Sequence, residues 1–204
     1  GVLVSPLILA STDQNATTLS IVQSAGAIGG VIGSILITIW GGFKKRVDGV
    51  LVGWMASGLF GYMLMGTARG LSIVWIITNF LGAAIVPIVN ASNQAIWQSK
   101  VPPKMQGRVF SVRMMIATLT APLAMLIAGP LADKVFEPLM RNETSALSQL
   151  FGSLVGTGPG TGMSLILVFC GFLMVIIGFI GNFIPCVRDV DTILPDHDAV
   201  AAKQ

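Results

Sequence analysis

The residues best placed to do chemistry lie inside an apolar run. Asn79, Ala83, Pro87, Asn90, Asn93, Gln94 and Trp97 recur at helical spacing and share roughly one face of a helix. Uncharged amides in apolar surroundings need hydrogen-bond partners. Two readings stay open: bonds across helix–helix contacts, worth about 0.6 kcal/mol each, or the lining of a water-filled cavity. In the second, Asn79, Asn90 and Gln94 orient a ligand, and Trp75, Phe80 and Phe110 supply apolar contacts.

A second constellation is basic. The stretch "QSKVPPKMQGRVFSV" carries Lys100, Lys104 and Arg108, with Arg113 one residue beyond. Pro102 and Pro103 stop one helix and set the start of the next. Gly107 permits close backbone approach, and Arg108 emerges at the start of the following helix. Arg113, one turn inside it, snorkels toward the headgroups. A shorter basic turn, "WGGFKKRVDG", has Gly41 and Gly42 to end a helix, then Lys44, Lys45 and Arg46. Asp48 either pairs with Lys45 or Arg46 or favours the N-terminal dipole of the next helix. The residues Lys44, Lys45, Arg46, Asp48, Gly107 and Arg108 form the candidate gating set.

Two further stretches have bland readings. "SAGAIGGVIGS" places Ala25, Gly29 and Gly33 on one stripe and Gly26, Gly30 and Ser34 on the next, so a neighbouring helix can approach closely, either for tight packing or to slide or rock during a conformational cycle. "GTGPGTG" (156–162) has the look of a phosphate loop, but no strand precedes it and no Lys-Ser/Thr follows; it reads as a flexible lead into the last span.

Catalysis is not indicated. The apolar runs contain no Asp or Glu, and His197 is the sole histidine. No metal cluster, nucleophile–base set or cofactor motif can be assembled, so neither a catalytic residue nor a metal or cofactor is expected. Cys170 and Cys186 read as small apolar fillers, too far apart along one helix to bridge.

The elements that position these residues follow from composition. Of 204 residues, 53% are hydrophobic and 10% charged, with mean hydropathy +0.82. A soluble domain has about 25% charged residues. This chain is too poor in charge to coat a globule, so it belongs in a lipid bilayer, and its net charge of +3, held in short clusters, points to no nucleic acid. Five complete spans are expected at about 19–40, 49–67, 71–97, 109–132 and 162–185. Residues 1–10 read as the end of a truncated span. Prolines 87, 122 and 130 are expected to kink their helices. Residues 147–154 suggest a short amphipathic helix bearing Leu147, Leu150, Phe151 and Leu154. The final segment, 186–204, reads as a polar tail, extended or disordered. Taking connections alternately, nine cations fall on one side and Arg69, Lys134 and Arg141 on the other, which accounts for all twelve. The basic side, tail included, should be cytoplasmic.

"GGFKKR" after a glycine-rich helix, then "NASNQAIWQSKVPPKMQGRVFSV" and "APLAMLIAGPLADKVFEPLM", resemble the C-terminal half of a major facilitator superfamily transporter. The subgroup is the macrolide-efflux and enterobactin-exporter-like drug:proton antiporters. The order Gln98, Val101-Pro102, Gly107-Arg108-Val109-Phe110-Ser111 is the most specific part, and "ILPDHD" (193–198) is similar to tails of that group. The resemblance implies a twelve-helix fold, with residues 1–185 as the end of helix 7 and helices 8 to 12. The missing partner would be an N-terminal six-helix half. "GGFKKR" would be the basic loop between helices 8 and 9 and 98–112 the loop between helices 10 and 11, both at the inner gate. The full acidic–basic signature of the N-terminal loop is not present in this sequence. The implied activity is secondary-active efflux of a small amphipathic substrate, coupled to protons in that subgroup, across the bacterial inner membrane. A second reading is a lysophospholipid-type carrier acting as membrane partner of an acyltransferase.

Overall fold

The structure, a computed structural model, describes residues 2–68, 71–142, 145–156 and 158–193. Among these residues there is no strand, and five helices are long and apolar enough to cross a membrane. The chain is an all-α polytopic membrane protein, as its composition requires. In order, α1 is Val4–Ser11, α2 Ala16–Trp40, α3 Arg46–Gly66, α4 Ser72–Lys100, α5 Pro103–Arg141, α6 Ala146–Val155 and α7 Thr161–Phe183. Two short turns follow, α8 (Pro185–Arg188) and α9 (Val190–Ile193).

The ends of these helices are written locally. Asn15 caps α2, its side chain accepting from the Thr18 N–H at 3.0 Å. Gly41 and Gly42 end α2 in the left-handed region (φ 78° and 87°), which a Cβ would strain. Pro102 and Pro103 separate α4 from α5, with Pro103 as the first helical residue, where its missing N–H costs nothing.

The interior prolines break neither long helix. α4 runs through Pro87 and α5 through Pro122 and Pro130. Wider π-type turns occur at 132–136, just after Pro130, and at 57–63 in α3, which has no proline. The second holds Gly58 and Gly61 where α3 meets α7 and α4.

Small residues set the packing. α2 lies on α4 through Gly26, Gly29 and Gly33, all buried; a Cβ on Gly29 would run into the Phe80 carbonyl and one on Gly33 into the Ala84 carbonyl. The contact face thus takes one glycine from one predicted stripe and two from the other. α3 meets α7 in the same manner, Gly58 against Gly171 and Leu51 against Gly178 and Gly181. Close approach of this kind drives helix association in lipid, where apolar burial supplies no force.

Two clusters of buried side chains adjoin, while Val47 and Leu51 are buried separately near the start of α3. Leu7, Ile8, Val22, Met65, Trp75, Ala132 and Leu167 form one cluster, and Met140, Val155, Leu165 and Val168 a second beside it. The long stretch Pro103–Leu131 of α5 has no buried residue at all. It touches the end of α4 through Arg113, which meets Gln94 and Trp97, and joins the rest of the bundle through its distal turns.

Three expectations need correction. Residues 185–193 are helical and docked, not extended: the Asp191 carboxylate accepts from the Val47 N–H at 3.4 Å, and Lys100 Nζ donates to the Asp191 carbonyl at 3.0 Å. Open N–H groups at the start of α3 give the tail an anchor. Residues 194–204, and so most of "ILPDHD" and His197, lie outside the described residues, as does Arg69. In α6 the inward face carries Leu147, Phe151 and Val155, while Leu150 and Leu154 are exposed. Finally, a Cβ on Gly107 would meet nothing within 4 Å. Gly107 makes no close backbone contact in this chain, because α5 stands off from its neighbours there.

Candidate substrate groove and basic end

Beside the glycine contact, α2 and α4 border an open groove of about 750 Å³. Ala27, Gly30, Val31, Ser34, Ile35 and Thr38 of α2 form one wall, and Ala83, Val86 and Pro87 of α4 the other. The groove is mostly apolar. Its hydroxyls are locally satisfied: Ser34 donates to the Gly30 carbonyl and Thr38 to the Ser34 carbonyl, each at 2.8 Å. They still offer oxygen lone pairs to a ligand. A site with wide apolar walls and few polar atoms suits an amphipathic molecule.

The residues singled out for a cavity do not share one surface. The Asn79 side-chain amide donates to the Val22 carbonyl at 2.7 Å and fixes the α2–α4 crossing. Asn79 also borders a smaller cavity of about 180 Å³, with Ser57, Tyr62 and Thr78. Phe80 is half-buried at the same crossing. Trp75 is 1% exposed, inside the core cluster. Asn90 is exposed one turn beyond Pro87, and Phe110 is half-buried on α5. Gln94 faces α5, its Oε1 accepting from Arg113 Nη1 at 3.4 Å. Sequence reasoning placed Ser34 on a packing stripe and passed over Thr38; their spacing from Gly30, four residues at each step, is the signal that puts them on one wall.

The basic loops meet at one end of the bundle. Lys44 and Lys45 are exposed, and Arg46 and Asp48 half-buried. Asp48 sits in the first turn of α3, where the helix dipole favours it. The carboxylate that reaches the α3 backbone is Asp191. Arg108 and Arg113 border a recess of about 560 Å³ between α4 and α5, and the Arg113 guanidinium lies 5.4 Å from the centre of the Trp97 ring. Just past this end Arg188 pairs with Asp189 at 2.8 Å. The hydrogen bond from Arg188 holds the Asp189 carboxyl below the usual carboxylate range; burial opposes it, and the charges of Arg188 and Lys45 add to it.

At the opposite end, "GTGPGTG" does hold an anion, and the anion is the chain's own. Glu137 accepts from the N–H groups of Gly160 and Gly162, each at 2.9 Å, and pairs with Arg141 at 3.2 Å. The carboxylate occupies the N-terminus of α7, where the dipole and open donors favour it. Sequence reasoning missed this contact.

No family model matches the chain, and no solved structure matches it. It is similar to macrolide efflux protein A of Streptococcus pyogenes, 25% identical over 122 residues, covering 57% of this chain and 29% of that protein. It is also similar to the multidrug efflux pump Tap of Mycolicibacterium fortuitum, 28% identical over 123 residues, covering 60% of this chain and 30% of the pump. The chain therefore spans less than a third of the length of these relatives, and its likeness is to membrane efflux transporters.

Proposed function

We propose that the chain forms the C-terminal helices of a major facilitator superfamily carrier that exports a small amphipathic molecule by alternating access. Residues 1–185 would be the membrane bundle and 186–204 a cytoplasmic tail. The observation that carries this reading is the α2–α4 groove, apolar with sparse hydroxyls, on a protein similar to two efflux transporters. The groove is open on one side, as half of a cavity between two rocking bundles would be. A second six-helix half supplies the facing wall. The packing pattern supports an inner gate at the basic end: the two buried clusters sit at the far end, while α5 departs from α4 near Arg108. There Lys44, Lys45, Arg46 and Arg108 meet partners on the other half, in the cytoplasm of a bacterial inner-membrane protein.

The chain contributes binding and movement and no bond-making step, so the reading is a transporter and not an enzyme. Protons are the coupling ion in this proposal, with the proton-carrying groups on the facing half, because the carboxylates on the spans here, Asp48, Asp133 and Glu137, lie near span ends and not in their interiors. No observation favours the reading as an acyltransferase partner. The test is accumulation of a fluorescent amphipathic cation in cells expressing the complete reading frame. Accumulation should fall below that of control cells and recover when an uncoupler collapses the proton gradient. Equal accumulation in both strains would reject export, and uncoupler-resistant export would reject proton coupling.

A further inference from the structure

The recess between α4 and α5 at the basic end is distinct from the α2–α4 groove. Arg108 and Arg113 border it, with Trp97, Met105, Val109, Val112 and Ile116 as the remaining wall. We propose that it binds the headgroup of an anionic phospholipid, with the Arg113 guanidinium on the phosphate.

Charge comes first. Between Asp48 and Asp133 the chain has no acidic residue, while two cations, Arg108 and Arg113, border this recess and Lys100 and Lys104 lie in the same stretch of sequence. Lys100 is taken up by the Asp191 carbonyl. Arg113 sits one turn into the apolar part of α5, past Arg108. A cation at that depth in an apolar helix marks a ligand or a partner charge. What holds Arg113 here is neutral: one bond to Gln94 Oε1 and the face of Trp97. These contacts orient the guanidinium and leave its charge uncompensated. A guanidinium offers five N–H donors in a fork that fits phosphate oxygens.

Shape comes second. The recess, about 560 Å³, takes a headgroup and its glycerol but not the acyl chains. From it an apolar stripe continues along α5: Val112, Ile116, Leu119, Leu123 and Leu126, all exposed and at helical spacing. Acyl chains laid on this stripe run from the charged end toward mid-membrane, as in a lipid of the adjoining leaflet. A soluble anion would use the arginines and leave the stripe bare. This inference does not depend on the export reading.

The experiment reconstitutes the product of the complete reading frame in phosphatidylcholine nanodiscs doped with brominated lipid and follows tryptophan quenching. The Trp97 share is obtained by subtracting Trp97→Phe. Brominated phosphatidylglycerol should quench Trp97 at a dopant level about tenfold lower than brominated phosphatidylcholine, since each cation near a phosphate contributes a several-fold preference. Arg113→Gln should reduce the preference to about twofold, and Arg113→Lys should keep part of it because the fork is lost but not the charge. Val112→Trp in a Trp97→Phe background, judged by lipid retention in native mass spectrometry, fills the exposed wall without touching the arginines, and it should also lower phosphatidylglycerol retention. Equal quenching by the two lipids overturns the proposal. So does loss of the preference on adding millimolar inorganic phosphate, which would make this a soluble-anion site.

Discussion

Asn79 and Val22, 57 residues apart, are joined by a 2.7 Å hydrogen bond from the side-chain amide to the backbone carbonyl. The bond lies beside Gly26, whose missing side chain makes room for the amide. Polar and small residues thus act together to set the α2–α4 angle, and that angle shapes the groove. Replacing Asn79 with Leu should cost about 0.6 kcal/mol, the average for such a bond in a membrane. Gly29→Val drives a side chain into the Phe80 carbonyl and should cost about 1–3 kcal/mol, as overpacking does. Denaturation midpoints in mixed micelles compare the two; equal shifts would mean that the glycine contact is not the closer constraint.

The Glu137 carboxylate bridges α5 to the start of α7. Hydrogen bonds to a charged group contribute about 1.5–3 kcal/mol. Glu137→Gln keeps one acceptor and should lose less than Glu137→Ala, which leaves the Gly160 and Gly162 N–H groups open. Hydrogen exchange at those two amides reads the difference. Unchanged protection in Glu137→Ala would contradict the cap.

Asp189 gives a pH signature. Its folded value lies below the usual carboxylate range, so its contribution is present above the unfolded value and fades as pH falls through the folded one. Arg188→Gln should move the Asp189 titration upward, followed by the carboxyl carbon shift in NMR. An unmoved midpoint would show that the Arg188 hydrogen bond is not the main cause.

Orientation is open to chemical labelling. With Cys170 and Cys186, both exposed and unbridged, replaced by Ser, single cysteines at Lys45 and Lys104 should react only from the cytoplasm. Cysteines at Asn15 and Asn142 should react from outside. Labelling of positions 45 and 104 in intact cells by an impermeant reagent would invert the topology.

What the sequence made legible follows from where the cause lies. The five spans were legible because length and apolarity are local, and the glycine turn at 41–42 and the Pro102–Pro103 break were legible for the same reason. The α6 helix was legible too, but its inward face was not, since Leu147 and Phe151 were chosen over Leu150 by contact with α7. Glu137 bonds 23 and 25 residues away, and Asp191 bonds 144 residues away, with no spacing rule to announce either. The polar face of α4 divides among several contacts. Asn79 packs against α2, Gln94 meets Arg113, and only Ala83, Val86 and Pro87 border the groove.

The most direct test uses Gly30. A Cβ there meets only the Ala83 carbonyl, at 4.0 Å, so a larger side chain projects into the groove without disturbing the contact made by Gly29 and Gly33. In the complete reading frame, Gly30→Leu should fold and insert normally while initial-rate efflux of a fluorescent amphipathic cation falls roughly tenfold, the scale expected when bulk enters a binding pocket. Efflux equal to that of the unmodified protein, at equal membrane abundance, would contradict the assignment of this groove to the transported molecule.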